Sequence, residues 1–274
     1  MKQRDESEAR YNKRIIIIIL LFPGIFAAAF LIAVFIEPSD TIENFWLLGR
    51  RQQNCSVARA VFMFMGMITY FSEKFLLLSL LCFVYVTFSK KLARSIRIQI
   101  EIMKKTYPTH EFPSSVKVFH LVVQCCRFFN DSIKVSVFLI LCMFFTEIYV
   151  TLGLAFGVAR LPFLPHIVES VLTFVYCSAL ITCLILALSD VPTALEEAAT
   201  VFHDQYREEL LKLNIINEYN VQRLTLLKAL SEINPIYITV WDTFRVDKSL
   251  LLNSFGCTLT FGILIMQIKA ADNL

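Results

Sequence analysis

An all-helical, polytopic membrane bundle is the fold class this sequence predicts, and three observations carry the prediction. Hydrophobic residues fill 57% of the 274 positions and the mean hydropathy is positive, which is too apolar for one soluble domain of this size. Five apolar runs reach the roughly 20 residues a helix needs to cross about 30 Å of hydrocarbon. None alternates polar and apolar residues as a barrel strand would.

The elements follow in order. A tail over residues 1–14 holds Lys2, Arg4, Arg10, Lys13 and Arg14 and leads into the first span, Ile15 to Ile36. A basic start before Ile15 to Phe22, with Ala27-Ala28-Ala29 imitating a cleavage site, also fits a secretory signal. The apolar run continues seven residues past that site, so a retained span is the expectation. Met63 to Phe88 is the second span. The loop over 89–117 starts as a basic helix with Ile96, Ile100 and Met103 on one side and breaks at Pro108 and Pro113. Val118, Leu121, Val122, Cys125 and Phe129 then keep helical spacing straight into the third span, Ile133 to Val158. One helix is therefore expected to begin in the cytoplasm and run into the membrane.

Ile167 to Leu188 is the fourth span and completes a four-span region over 15–188. Residues 189–247 form the longest aqueous segment. Thr193 is expected to start a helix there, with Glu196 and Glu197 in its first turn, where carboxylates suit the helix dipole. Leu195, Phe202 and Leu210 keep its period to a break at Asn214 to Asn220, and Leu224, Leu227 and Leu230 continue it to Asn234-Pro235. That pattern predicts a helical hairpin with apolar faces. Residues 248–274 hold the final span, Ser249 to Ile268, and a short tail.

Lysine and arginine orient the bundle. Seventeen lie in the amino-terminal tail, the 89–117 loop and the 189–247 segment, against five in the first loop, the third loop and the final tail. The amino terminus is thus expected inside and the carboxyl terminus outside. Asn54-Cys55-Ser56 becomes a glycosylation acceptor on the outer face, whereas Asn130-Asp131-Ser132 falls inside and should stay bare. Eight cysteines without a framework spacing read as buried apolar side chains. No basic patch with interleaved aromatics points to nucleic acid.

Chemistry is not encoded in any motif. His110, His120, His166 and His203 are scattered, and no Gly-rich phosphate loop, nucleophile elbow or paired-carboxylate motif occurs. A non-enzymatic protein without metal or cofactor is expected. Polar residues inside spans remain, and these mark function by default. Tyr70, Glu73, Glu147, Tyr149, Thr173 and Tyr176 fall at similar depth in the outer half, so they are candidates for one small-molecule pocket.

The final span is striped. At 100° per residue, Ser249, Asn253, Gly256, Cys257, Thr260, Leu264 and Gln267 share about a third of its circumference, away from Leu252, Phe255, Leu259 and Ile263. Such a stripe must face protein or water. Packing against the same chain is one reading, and the wall of a pore built from several chains is the other.

Thr260-Phe261, five apolar residues and then Gln267, in the last span of the chain, resemble a motif of the arthropod gustatory and odorant receptor superfamily, with the polar lead-in Phe244-Arg245-Val246-Asp247-Lys248 before it. That family usually has tyrosine at the position of Phe261 and often phenylalanine where this chain has Ile268. The resemblance implies a gustatory-type receptor: a subunit of a ligand-gated, non-selective cation channel, four chains around an axis, in the plasma membrane of sensory neurons. It implies a small-molecule tastant as ligand. Gln267 and Leu264 would stand at pore and gate, with Thr260 and Asn253 on the same wall, and residues 189–247 would join the last helix in homo- or hetero-oligomer contacts. Seven spans are usual in the family, so this chain would lack the first two. Two other readings stay open: a shortened regulatory or nonfunctional subunit, and a small-solute transporter, for which broken spans in corresponding halves would be expected.

Overall fold

The computed structural model describes residues 2–36, 56–107, 109, 111–155, 164–212, 218–241 and 243–272, and Asn54, Arg160 and the break after Lys212 lie outside them. Seven α-helices occur among these residues: α1 (Lys2–Ile36), α2 (Ser56–Phe71), α3 (Leu77–Thr106), α4 (Phe112–Ala155), α5 (Leu164–Lys212), α6 (Glu218–Ser231) and α7 (Lys248–Asp272). A π-helical turn, Ser72–Leu76, joins α2 to α3. Five helical stretches are long and apolar enough to cross a membrane, among them Asn12–Ile36, Val61–Thr106 and Lys248–Ile268. The chain is a multi-pass helical bundle, as its composition predicts.

Two departures from the sequence expectation concern where helices stop. No new helix starts at Thr193; α5 is one 49-residue helix with Pro192 inside it. A proline removes the N–H that would bond the fourth carbonyl back. Thr193 and Ser189 hydroxyls bond the Ser189 and Leu186 carbonyls at 2.8 and 2.9 Å on either side of the freed position. The second departure follows Asn234-Pro235, where the helix gives way to a short antiparallel pair, β1 (Thr239–Val240) and β2 (Phe244–Arg245). Trp241 turns the pair at a φ of 47°, a left-handed conformation that is uncommon for a bulky residue, and its ring packs edge-on against Phe138. Asn130 Oδ1 accepts from the Thr239 N–H at 3.1 Å, so this asparagine is committed to the hairpin.

The chain forms two compact units. One comprises residues 84–141 and 182–253. Its core contains Ile96, Met103, Phe119, Leu195, Phe202, Leu227 and Val240, all essentially inaccessible, with Phe119 edge-on to Phe202. Arg97 pairs with Glu197 at 3.3 Å, and the Tyr237 hydroxyl donates to Glu196 at 2.6 Å, which holds the phenol above its ordinary range. The other unit comprises residues 1–83, 142–181 and 254–274 and holds the polar span residues. Of the described cysteines, Cys82, Cys126 and Cys177 are buried, but Cys125, Cys142, Cys183 and Cys257 are exposed free thiols, contrary to the expectation of burial.

Candidate functional site

Within the unit of residues 1–83, 142–181 and 254–274, an ion-paired cluster sits beside an aromatic wall. Lys74 is its centre. The π-helical turn that carries it adds a residue to the ordinary repeat and so changes which side chain faces the neighbouring helices, and such turns recur at functional sites. Lys74 Nζ lies 2.8 Å from a Glu147 carboxylate oxygen on α4 and 4.0 Å from Glu169 on α5. Tyr70 donates its hydroxyl to the other side of the group, to Glu169 at 3.4 Å, and His166 Nδ1 stands 3.7 Å from Glu169. Lys74 also lies 5.6 and 5.3 Å from the ring centres of Tyr70 and Phe75, within cation–π range. A charged group at this depth is costly unless paired, and mutual pairing is how three of them coexist.

Next to the charges are rings. Phe22 stacks on Tyr176 at 3.7 Å, Phe26 and Phe75 meet Tyr176 edge-on, and Phe71 meets Phe26 edge-on. The Tyr176 hydroxyl hydrogen-bonds the buried Ser79 hydroxyl, which also donates to the Phe75 carbonyl freed near the π turn. Thr173 and Ser170 on α5 are fully covered, and neither hydroxyl has a hydrogen-bond partner.

Of the six pocket candidates, the structure brings Tyr70, Glu147, Thr173 and Tyr176 into this region. Glu73 is exposed and turned away, because the π turn gives the inward position to Lys74. Tyr149 is on the other side of α4 from Glu147, edge-on to Phe261 of α7 with ring centres 4.7 Å apart. Sequence reasoning missed Lys74, Glu169, His166, Ser79 and Phe22. One signal was available: Lys74 is the one lysine deep within a predicted span, and such a lysine calls for a carboxylate.

The final helix has three faces. Thr258, Gly262 and Ile265 are buried, with Phe261 partly so, and this is the face that meets its own chain. Asn253, Gly256, Cys257, Thr260, Leu264 and Gln267 are all exposed, on a stripe about 140° around the helix from it. Leu252, Leu259 and Ile263 form a third, exposed apolar face. Only 17% of the most apolar stretch of α7 is buried, the least of the five spans. Thr260 satisfies its hydroxyl on the Gly256 carbonyl at 2.9 Å, leaving the Gln267 and Asn253 amides as the strongly polar members of the stripe. The Asp247 carboxylate caps the helix start, accepting from the Leu250 N–H at 3.0 Å and the Ser249 hydroxyl at 2.6 Å, and these bonds hold it below the usual carboxylate range. Among the described residues no group of His, Cys, Asp and Glu is placed to hold a metal ion.

Helices long and apolar enough to cross a membrane, an aromatic-walled ion cluster within them and a striped last helix define a class: a multi-pass helical membrane protein with a polar site among its spans. Among solved structures the chain is similar to one described as the insect olfactory receptor OR5 from Machilis hrabei in complex with eugenol, with a TM-score of 0.56 over 98% of this chain and 70% of that one. At 16% identity the likeness is one of fold. No family model and no curated protein sequence matches the chain.

Proposed function

We propose that the chain is a chemosensory receptor subunit of gustatory type, a ligand-gated, non-selective cation channel in which the last helices of four chains surround the pore. Its setting would be the plasma membrane of sensory neurons, and its ligand a small-molecule tastant held at the Lys74 cluster. One observation supports the reading: among the described residues the polar stripe of α7 is exposed, on a face away from the one buried against its own chain, so intrachain packing gives the weaker account of it. Amides exposed to hydrocarbon would cost several kcal/mol each, roughly, so water or other chains must meet them. A symmetric ring supplies both, with the stripe turned to a water-filled axis and the apolar third face to lipid and neighbouring subunits. The fold shared with an olfactory receptor supports the same class.

Coupling would run through α4. Glu147 touches the cluster on one side of this helix, and Tyr149 touches Phe261 of α7 on the other. A ligand that binds more tightly when α4 is displaced would favour a displaced α7 by that difference in affinity. Leu264, one turn inward of Gln267, would form the constriction that closes by dewetting. The test is Gln267→Ala in cells expressing the chain: surface expression should persist while conductance or ion selectivity changes. Unaltered currents would remove Gln267 from the pore.

A further inference from the structure

The outer-span cluster sets two carboxylates against one fixed cation. Lys74 serves both Glu147 and Glu169, at 2.8 and 4.0 Å. Among the described residues Glu169 also meets the neutral Tyr70 hydroxyl and His166, which is a cation only when protonated. With the imidazole neutral, these five side chains hold one more negative charge than positive. In a low-dielectric setting an unmatched carboxylate attracts a cation strongly.

A second, independent observation lies on the same helix. Ser170 and Thr173 are 2% and 0% exposed, and their hydroxyl oxygens have no hydrogen-bond partner. Leaving a buried hydroxyl unpaired is costly, so two a turn apart point to a missing partner. By helical spacing Thr173 shares the α5 face that carries Glu169 and Tyr176, about one turn from each, whereas Ser170 lies about 100° around the helix from Glu169 and about 60° from Thr173. Beside them is the wall of ring faces around Phe22 and Tyr176, whose negative quadrupoles favour a cation.

Taking this cluster as the ligand site proposed above, we infer that its ligand is a small protonated amine bearing an aromatic ring. The ammonium shares the carboxylates with Lys74 and gives an N–H to a free hydroxyl one turn along α5, about 5–6 Å away. Its ring lies against the wall. A neutral analogue of the same shape keeps the ring contact and loses the charge, and an anionic one meets the excess negative charge.

The full chain in lipid nanodiscs tests this by calorimetric binding of 2-phenylethylamine, neutral 2-phenylethanol and anionic phenylacetate at neutral pH. The amine should bind at least about tenfold more tightly than the alcohol, roughly 1.4 kcal/mol, and phenylacetate most weakly. Glu169→Gln, which keeps an acceptor for Tyr70, should erase the amine's advantage. Lys74→Gln should strengthen amine binding, since the ligand takes the vacated place; a bystander role for the cluster would give no such opposite signs. Equal binding of amine and alcohol overturns the inference, as does a Glu169→Gln protein that melts like the native one and keeps the preference. Should Glu169→Gln fail to fold, the comparison of ligands on the native chain decides alone. Binding is read without current, so amine preference in a chain that conducts nothing refutes the channel reading and supports the ligand class. Currents opened by other compounds with no amine preference do the reverse.

Discussion

Lys74 shows how much a single side chain can hinge on its partners. Its ammonium and the Glu147 carboxylate are both mostly covered, and removing one member leaves the other unpaired within the span. Loss of one partner of such a pair costs about 3–5 kcal/mol, whereas replacing both by apolar residues of similar size is often neutral. Lys74→Met alone should therefore lower the thermal midpoint of the detergent-solubilised protein clearly, and Lys74→Met with Glu147→Leu should recover most of the loss. A single variant as stable as the native chain would show the pair to be idle. The pair was only partly legible in the sequence. Depth alone reaches Glu147, Thr173 and Tyr176, but it does not separate Glu73 from its neighbour Lys74, because depth says nothing of which way a side chain faces, and a π turn shifts that facing locally. Asp247 gives a second test at this scale. Its depressed carboxyl contributes stability that is present above its ordinary value of 3.8 and is lost as pH falls through the lower folded value. Asp247→Ala should cost about 0.5–2 kcal/mol, the usual range for an N-cap, and flatten the acid limb of a melting-temperature profile.

Between elements, the decisive contact is Tyr149 on Phe261. It is the ring pair that ties α4, which carries Glu147, to the packed face of α7. Tyr149→Ala should leave ligand affinity within about threefold while reducing the maximal current or shifting activation to higher concentration, because it removes a link rather than a binding group. A loss of binding equal to the loss of current would place Tyr149 in the site instead. Helix existence was readable from periodicity, and helix ends were not. Pro192 and Thr193 have the local signature of a boundary, yet the helix passes through, since neighbouring hydroxyls bond the carbonyls near the missing N–H and Val191, Ala194 and Leu195 are held in a core. The β1–β2 hairpin depends on partners distant in sequence, Asn130 and Phe138, which no local pattern reveals.

For the whole molecule, the question is what covers α7. Of its three faces with different chemistry, one is buried on its own chain and two are exposed among the described residues, and the proposed ring of subunits would cover both. Cys257 on the polar stripe offers a native probe. A charged, membrane-impermeant thiol reagent reacts only where water reaches, so it should modify Cys257 and reduce the ligand-evoked current, and Cys257→Ser should abolish the effect. Insensitive currents from a chain with Cys257 intact would turn the stripe from the axis toward a dry interface.

Sequence by itself determined the helical class, the five spans and the existence of a polar stripe on the last one, because hydrocarbon thickness and helical pitch act on every residue independently of its distant neighbours. Tertiary structure alone decided which polar residues meet and which face of α7 remains open. Those outcomes depend on the phase shift of one π turn and on pairings between residues about 70 to 110 positions apart, such as Lys74 with Glu147 and Tyr149 with Phe261, and neither leaves a periodic trace in the chain.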